Sequence, residues 1–153
     1  MGKYHSNIGE HVKISGEFGE TILAYCLAKE YLHVIVARSA GFDLVVKDTK
    51  GKIFPKSKTI AISVKTSKGK SWSKNLKKDY EIFKNYSKIW NYEPYFAFVT
   101  SKDIILFPAK LSKYKEVTTP KGSVSAPKLR NYKDSKSNKI IVFNFNIDSF
   151  KNK

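Results

Sequence analysis

An isolated aspartate, Asp43 in "SAGFDLVV" (39–46), precedes by some twenty residues the stretch "AISVKTSKGK" (61–70), which carries Ser63 and Lys65. Asp43 opens the otherwise apolar run "FDLVVK" at 42–47, where an acid needs a cation, a capping contact or simple exposure at a strand edge. Along "TIAISVK" (59–65), strand alternation puts Ile60, Ile62 and Val64 on one face and Ala61, Ser63 and Lys65 on the other. That second face is small and polar around one lysine. If the two strands are neighbours, Asp43 and Lys65 come within reach of one phosphate. The carboxylate would then hold Mg²⁺ or Mn²⁺, and the ammonium would orient a water or stabilise developing charge. Glu20, in "GEFGET", would supply a second carboxylate from above. The plain alternatives are a structural Asp43–Lys65 pair at a strand end and a solvated helix acid at Glu20, with Glu17 in the same turn as a rival.

The elements that must position these groups follow from periodicity. Ser15 to Leu32 reads as a buried helix, with Phe18, Ile22 and Tyr25 at helical spacing and Leu23 and Leu27 on a second flank. Ser15 is its N-cap, and Glu17 and Glu20 fall near the first turn, where the helix dipole favours acids. "HVIVA" (33–37), "FDLVVK" and "TIAISVK" read as three strands, with the turn signal "DTKGK" after the second. A helix follows, with Leu76, Tyr80, Phe83 and Trp90 near one stripe. "YFAFVT" (95–100) and "DIILF" (103–107) are strands, Pro108 opens a short helix, and "IIVFNF" (140–145) is a final strand. Residues 115–139, rich in Lys, Ser and Pro, read as a long surface excursion. The order gives an α/β sandwich around a mixed sheet, as one domain over residues 1–153.

The chain has 153 residues, 41% of them hydrophobic and 14% aromatic, enough for one well-buried core. Its longest apolar run, "ILAYCLA" (22–28), is far too short to span a bilayer, so no membrane partner is expected. The first residues carry no apolar leader segment, and the single Cys26 reads as a small buried hydrophobe. Both suit an intracellular, cytoplasmic setting.

Twenty-nine Lys and Arg against 13 acids leave a net charge of +16, a field that attracts polyanions. Arg38 and Arg130 are the only arginines, so the charge is lysine, suited to backbone attraction rather than to bidentate base reading. The run Lys65, Lys68, Lys70, Lys74, Lys77, Lys78 follows the candidate site and reads as a track for a nucleic-acid backbone, DNA first, against an ordinary solvated face. Trp72 within it would stack on a base, or else anchor the loop on the core. "GKS" at 69–71 does not complete a phosphate-binding loop, because the position of the first glycine is Val64. His5, His11 and His33 show no metal-ligand spacing.

The ordered set Glu20, Asp43 and Ser63-Val64-Lys65 resembles the core of the PD-(D/E)XK nuclease superfamily. In size and order it is similar to archaeal Holliday-junction resolvases and small restriction-endonuclease-like proteins, over roughly residues 15–107. The resemblance implies a restriction-endonuclease-like αβββαβ core and a divalent-metal-dependent DNA endonuclease, with branched DNA as a substrate and a homodimer as the assembly. Glu20 and Asp43 would be metal-associated, the Val64 carbonyl a further ligand, and Lys65 catalytic. Arg38 and Ser39, in "ARSAG", would approach the scissile phosphate. The family's acid position is Ser63 here, whose neutral hydroxyl is a poorer Mg²⁺ ligand than a carboxylate. Of the other acids, Asp48 lies in a turn and Asp79 and Glu81 on the following helix, which leaves Glu20 to compensate and Ser63 to act through a bound water. The alternative is an inactive nucleic-acid-binding protein on the same scaffold.

Overall fold

The computed structural model describes residues 18–39, 41–66, 71–72, 76–132 and 140–144, without the side chains of residues 38, 39, 76 and 77. Helix α1 (18–29) leads into strands β1 (His33–Ser39), β2 (Phe42–Lys47) and β3 (Thr59–Thr66). A two-residue strand β4 (Ser71–Trp72) precedes helix α2 (Leu76–Trp90), followed by β5 (Glu93–Val99) and β6 (Asp103–Pro108). A 3₁₀ turn (Ala109–Lys113), β7 (Val124–Ser125), α3 (Ala126–Asn131) and β8 (Ile141–Asn144) complete the order. The main sheet runs β1-β2-β3-β5-β6-β8, antiparallel throughout except for the parallel pair β3–β5, and β4 pairs with β7 in a separate two-stranded sheet. The parallel pair follows from topology: α2 carries the chain back across the sheet between the two strands, as such a crossover must.

The sheet separates two cores. On one face Leu23 and Leu27 of α1 pack with Leu44, Val46, Ile60, Ile62, Ile104 and Leu106. On the other, Tyr80 and Phe83 of α2 pack with Ala61, Phe96, Phe98, Ile105 and Phe107. Each fully buried leucine contributes roughly 1.5–3 kcal/mol. The helical stripes differ in detail from the periodic reading. Ile22, Leu23 and Leu27 are buried, whereas Phe18 and Tyr25 are exposed, and on α2 Ser87 takes the buried place while Trp90 is exposed. Cys26 is only partly buried against its core, and burial raises its thiol pKa. The expected helix start, with Ser15 as cap and Glu17 in the first turn, lies outside the described residues.

Both long helices end in the same way. Leu32 N–H reaches back to the Leu27 carbonyl at 3.2 Å and Tyr92 N–H to the Ser87 carbonyl at 2.8 Å, with Tyr31 (φ 66°) and Asn91 (φ 58°) in the left-handed region between.

The basic stretch after Tyr114 runs into the core rather than over it. Val117, Val124, Ala126 and Leu129 are buried with the α2 cluster. Ser125 caps α3 by accepting from Lys128 N–H. Arg130 of α3 then grips Asp103 at the start of β6, with Nε–Oδ2 at 2.7 Å and Nη2–Oδ1 at 2.9 Å. Burial alone would push the Asp103 carboxyl up, but hydrogen bonds from Arg130 and from the Thr100 hydroxyl hold it below the usual carboxylate range. The Asp48 turn works likewise. Burial is outweighed there by backbone N–H groups of Ile53, Phe54, Lys50 and Gly51, which draw its pKa down and seat Phe54 in the core.

Because both carboxyls titrate lower in the folded chain, the stability they supply is present above the ordinary aspartate pKa of about 4 and is lost as pH falls below it. Arg130→Gln leaves Asp103, 2% exposed, as an unpaired buried charge. It should cost about 2–3 kcal/mol near neutrality, below the full buried-pair penalty because the Arg130 side chain is 24% exposed. Chemical denaturation at pH 7 and pH 3 should show that loss shrinking in acid; an equal loss at both would mean that the pair is not ionic.

Candidate active site

The site forms where one ladder stops. β2 and β3 pair from Lys47–Thr59 to Leu44–Ile62 and no further, while on its other edge β3 stays paired with β5 through Thr66–Val99. Past Ile62, β3 therefore lacks its antiparallel neighbour. The Val64 N–H is taken instead by the Asp43 carboxylate, Oδ2 accepting at 2.7 Å. A carboxylate fixed by a charge-assisted bond in place of a backbone rung is held in a defined orientation.

A cavity of about 300 Å³ opens at this point, lined by Gly41, Phe42, Asp43, Ser63, Val64, Lys65, Asp79 and Ile82. Ser63 and Lys65 lie on the α2 side of β3, because Ile60 and Ile62 are committed to the α1 core and Ala61 to the α2 core. Gly41 closes the β1–β2 turn at φ +95°, and a Cβ there would lie 3.0 Å from the Tyr86 ring, so the turn needs glycine for both conformation and space. An extra residue on β1 shifts its register between Val36–Leu44 and Ser39–Phe42, a bulge beside this turn. Arg38 and Ser39 fall at the bulge, and their side chains lie outside the described residues, as do Lys68, Lys70 and Lys74 entirely.

α2 brings in a carboxylate that the sequence reading set aside. Asp79, in its first turn, lines the cavity with Ile82 three residues on, and its Oδ2 lies 3.7 Å from Lys65 Nζ. The two side chains are 36% and 33% exposed, so the pair is solvent-screened and too long for a hydrogen bond. The Asp79 contact therefore does not occupy the donors of Lys65. The signal that would have found Asp79 is positional: an acid in the first turn of the helix that follows the Ser-Val-Lys strand, at i, i+3 from an apolar residue on the same flank.

Glu20 is half-buried on α1, which packs on the opposite face of the sheet, and it does not line the cavity. The residue before it, Gly19, meets the Thr66 and Val99 side chains, seating the beginning of the described helix against the ends of β3 and β5. Trp72 is a correction to the stacking alternative. It is 7% exposed, its ring set edge-on to Phe96 at 5.0 Å and tilted against Phe98 at 6.3 Å, so the anchor reading of this residue holds.

The donors in the cavity are all oxygens: the Asp43 and Asp79 carboxylates, the Ser63 hydroxyl and the Val64 carbonyl. Among the described residues no group of three or more His, Cys, Asp or Glu gathers. That set fits a hard cation bound through one or two carboxylates and completed by water and substrate phosphate; it does not fit a soft or all-protein site.

No family model and no curated protein matches the sequence. Among the described residues no helix is long and apolar enough to cross a membrane. The mixed sheet flanked by helices is the restriction-endonuclease-like fold. It is similar to the solved structure of Hjc, a Holliday junction resolvase from the archaeal hyperthermophile Archaeoglobus fulgidus, with a TM-score of 0.55 and 19% identity over 76% of this chain and 93% of that one.

Proposed function

We propose that this chain is a divalent-metal-dependent DNA endonuclease acting on branched DNA. The observation that carries this is the gathering of Asp43, Ser63, Lys65 and Asp79 around one cavity where the β2–β3 ladder ends. The similarity to a Holliday junction resolvase and the +16 charge support DNA as the polyanion. Asp43 and Asp79, with the Val64 carbonyl, would hold Mg²⁺ or Mn²⁺, and Ser63 would contribute through a bound water. Such an ion, when bound, would neutralise charge on the scissile phosphate and lower the pKa of a bound water. Lys65, held at the mouth by Asp79, donates to a phosphate oxygen and orients the attacking water. Asp43, fixed through Oδ2 by the Val64 N–H, would offer its other oxygen to the ion. In this reading Asp79 replaces the acid missing at Ser63, and Glu20 takes no direct part.

The second reading, a protein that holds nucleic acid without cutting it, is favoured by Ser63 alone. Labelled four-way-junction, duplex and single-stranded DNA, each with Mg²⁺, Mn²⁺ or EDTA, separates the two. Cleavage should need metal, and Asp43→Ala and Lys65→Ala should lower it by roughly 10²-fold or more. Asp79→Asn should lower it by about 10-fold or more, and adding Ser63→Glu to that variant should restore most of the loss. Salt-sensitive binding with no cutting in any metal would leave the holding role.

A homodimer would present two such sites to a branched substrate. Its support is an exposed apolar run on α2, Ile82, Tyr86, Ile89 and Trp90, with Ile35 also exposed on the edge strand β1. Ile82 belongs to both this run and the cavity, so the interface would border the site. In light scattering the wild type should be a dimer and Ile89→Glu should shift it to monomer. A wild type that stays monomeric at all accessible concentrations rules the dimer out.

A further inference from the structure

We propose that Trp72 is a positioning residue for Lys65, and that its seat is made by the chain segment after Tyr114, which thereby belongs to the active-site apparatus. This rests on the nuclease reading for its catalytic meaning but not for its geometry. Lys65 Nζ lies 5.8 Å from the centre of the Trp72 ring, within the range in which an ammonium is attracted to an indole face. On another side stands Asp79 at 3.7 Å. Neither contact is a hydrogen bond, so together they steer a flexible side chain without occupying its donors. A lysine stem left free would sample many rotamers, and fixing one of them before substrate arrives removes that entropy from the reaction step.

The Trp72 ring is in turn fixed from three directions. Phe96 and Phe98 of β5 receive it from the sheet, and Trp72 pairs in β4–β7 register with Val124. Val124 is fully buried and comes from the late segment, whose turn is closed by Thr119 N–H on the Ser123 carbonyl at 2.7 Å. The same segment is tied to β6 through Arg130 and Asp103. A connected set of contacts therefore runs from a stretch outside the αβββαβ core to the ammonium of Lys65. A two-residue strand has no stability of its own, so among the described residues the β4–β7 pairing with Val124 is what fixes the Trp72 backbone while Phe96 and Phe98 receive its ring.

The test uses the full chain with Trp72→Phe, which keeps an aromatic face, Trp72→Leu, which does not, and Phe54→Leu as a control in the core on the other face of the sheet. Lysine carrying a ¹³C label at Cε gives one resonance per lysine, with Lys65 assigned by its disappearance in Lys65→Arg. The Lys65 signal should stand apart from the bulk lysines through the ring current in wild type and Phe54→Leu. It should join the bulk in Trp72→Leu, with Trp72→Phe intermediate. A wild-type Lys65 signal already in the bulk overturns the proposal. In cleavage assays Trp72→Leu should lower kcat by roughly 10–100-fold with KM little changed, while Trp72→Phe retains most of kcat. Equal kcat losses in Trp72→Leu and a Phe54→Leu of matched thermal stability would reduce Trp72 to core packing and overturn the positioning role. A wild type that cuts nothing, with the Lys65 signal behaving as expected, would instead sink the nuclease reading and leave the contact itself established.

Discussion

The hydrogen bond from the Val64 N–H to the Asp43 carboxylate, 2.7 Å long, is the constraint on which the rest of the site depends. A central strand normally spends every backbone group on its two neighbours. Here β3 keeps the parallel neighbour and loses the antiparallel one after Leu44–Ile62, so an N–H would be stranded at the lip of the sheet. A side-chain carboxylate takes it. The exchange lets β2 and β3 part without leaving a donor unsatisfied, and it aims an acid into the gap thereby opened. A hydrophobic residue at position 43 would fail on both counts, which explains an acid at the head of an apolar strand without reference to any reaction.

The two-faced chemistry of β3 sets what else can gather there. Ile60 and Ile62 belong to the α1 core and make that side a dry packing surface. Ala61 leaves room on the other side for α2, whose Tyr80 and Phe83 bring the helix down near the strand. Once those rings are seated, helical geometry decides where Asp79 and Ile82 fall, and they fall at the cavity. The site is thus a by-product of packing on one face, and its polar residues sit where the aromatic core stops rather than within it.

Much of the fold was legible because period and punctuation agreed. β2 and β3 match their alternating patterns, the helix after them matches its stripe at Tyr80 and Phe83, and the order of the main-sheet strands and two long helices is as read, whereas β4, β7 and α3 were not read. Phe18, Tyr25 and Trp90 misled because a 3.6-residue period identifies a helix but not which flank of a wide apolar stripe is covered. Residues 115–132 misled more seriously. Their lysines and prolines gave the composition of a surface loop, while Val117, Val124, Ala126 and Leu129 are spaced by turns rather than by any period, so no window could register a buried face. Trp72 became interpretable only with them, since its partner Val124 is some fifty residues away in sequence.

The same reasoning bears on Ser63. A cation and a phosphate respond to the charge and position of a carboxylate, not to the strand or helix that carries it. Placing the acid on β3 would put it two residues from Lys65, on the same side-chain row. Placing it on α2 puts it across the cavity mouth, facing Lys65 at 3.7 Å with the donors of the lysine still available. The serine then needs only to be small. It is 7% exposed, lines the cavity with Asp79 and pairs in register with Phe96 of β5. In the proposed reading a serine suffices at this position because Asp79 supplies the charge from the helix, an arrangement that the local motif alone does not distinguish from a site that has lost its acid.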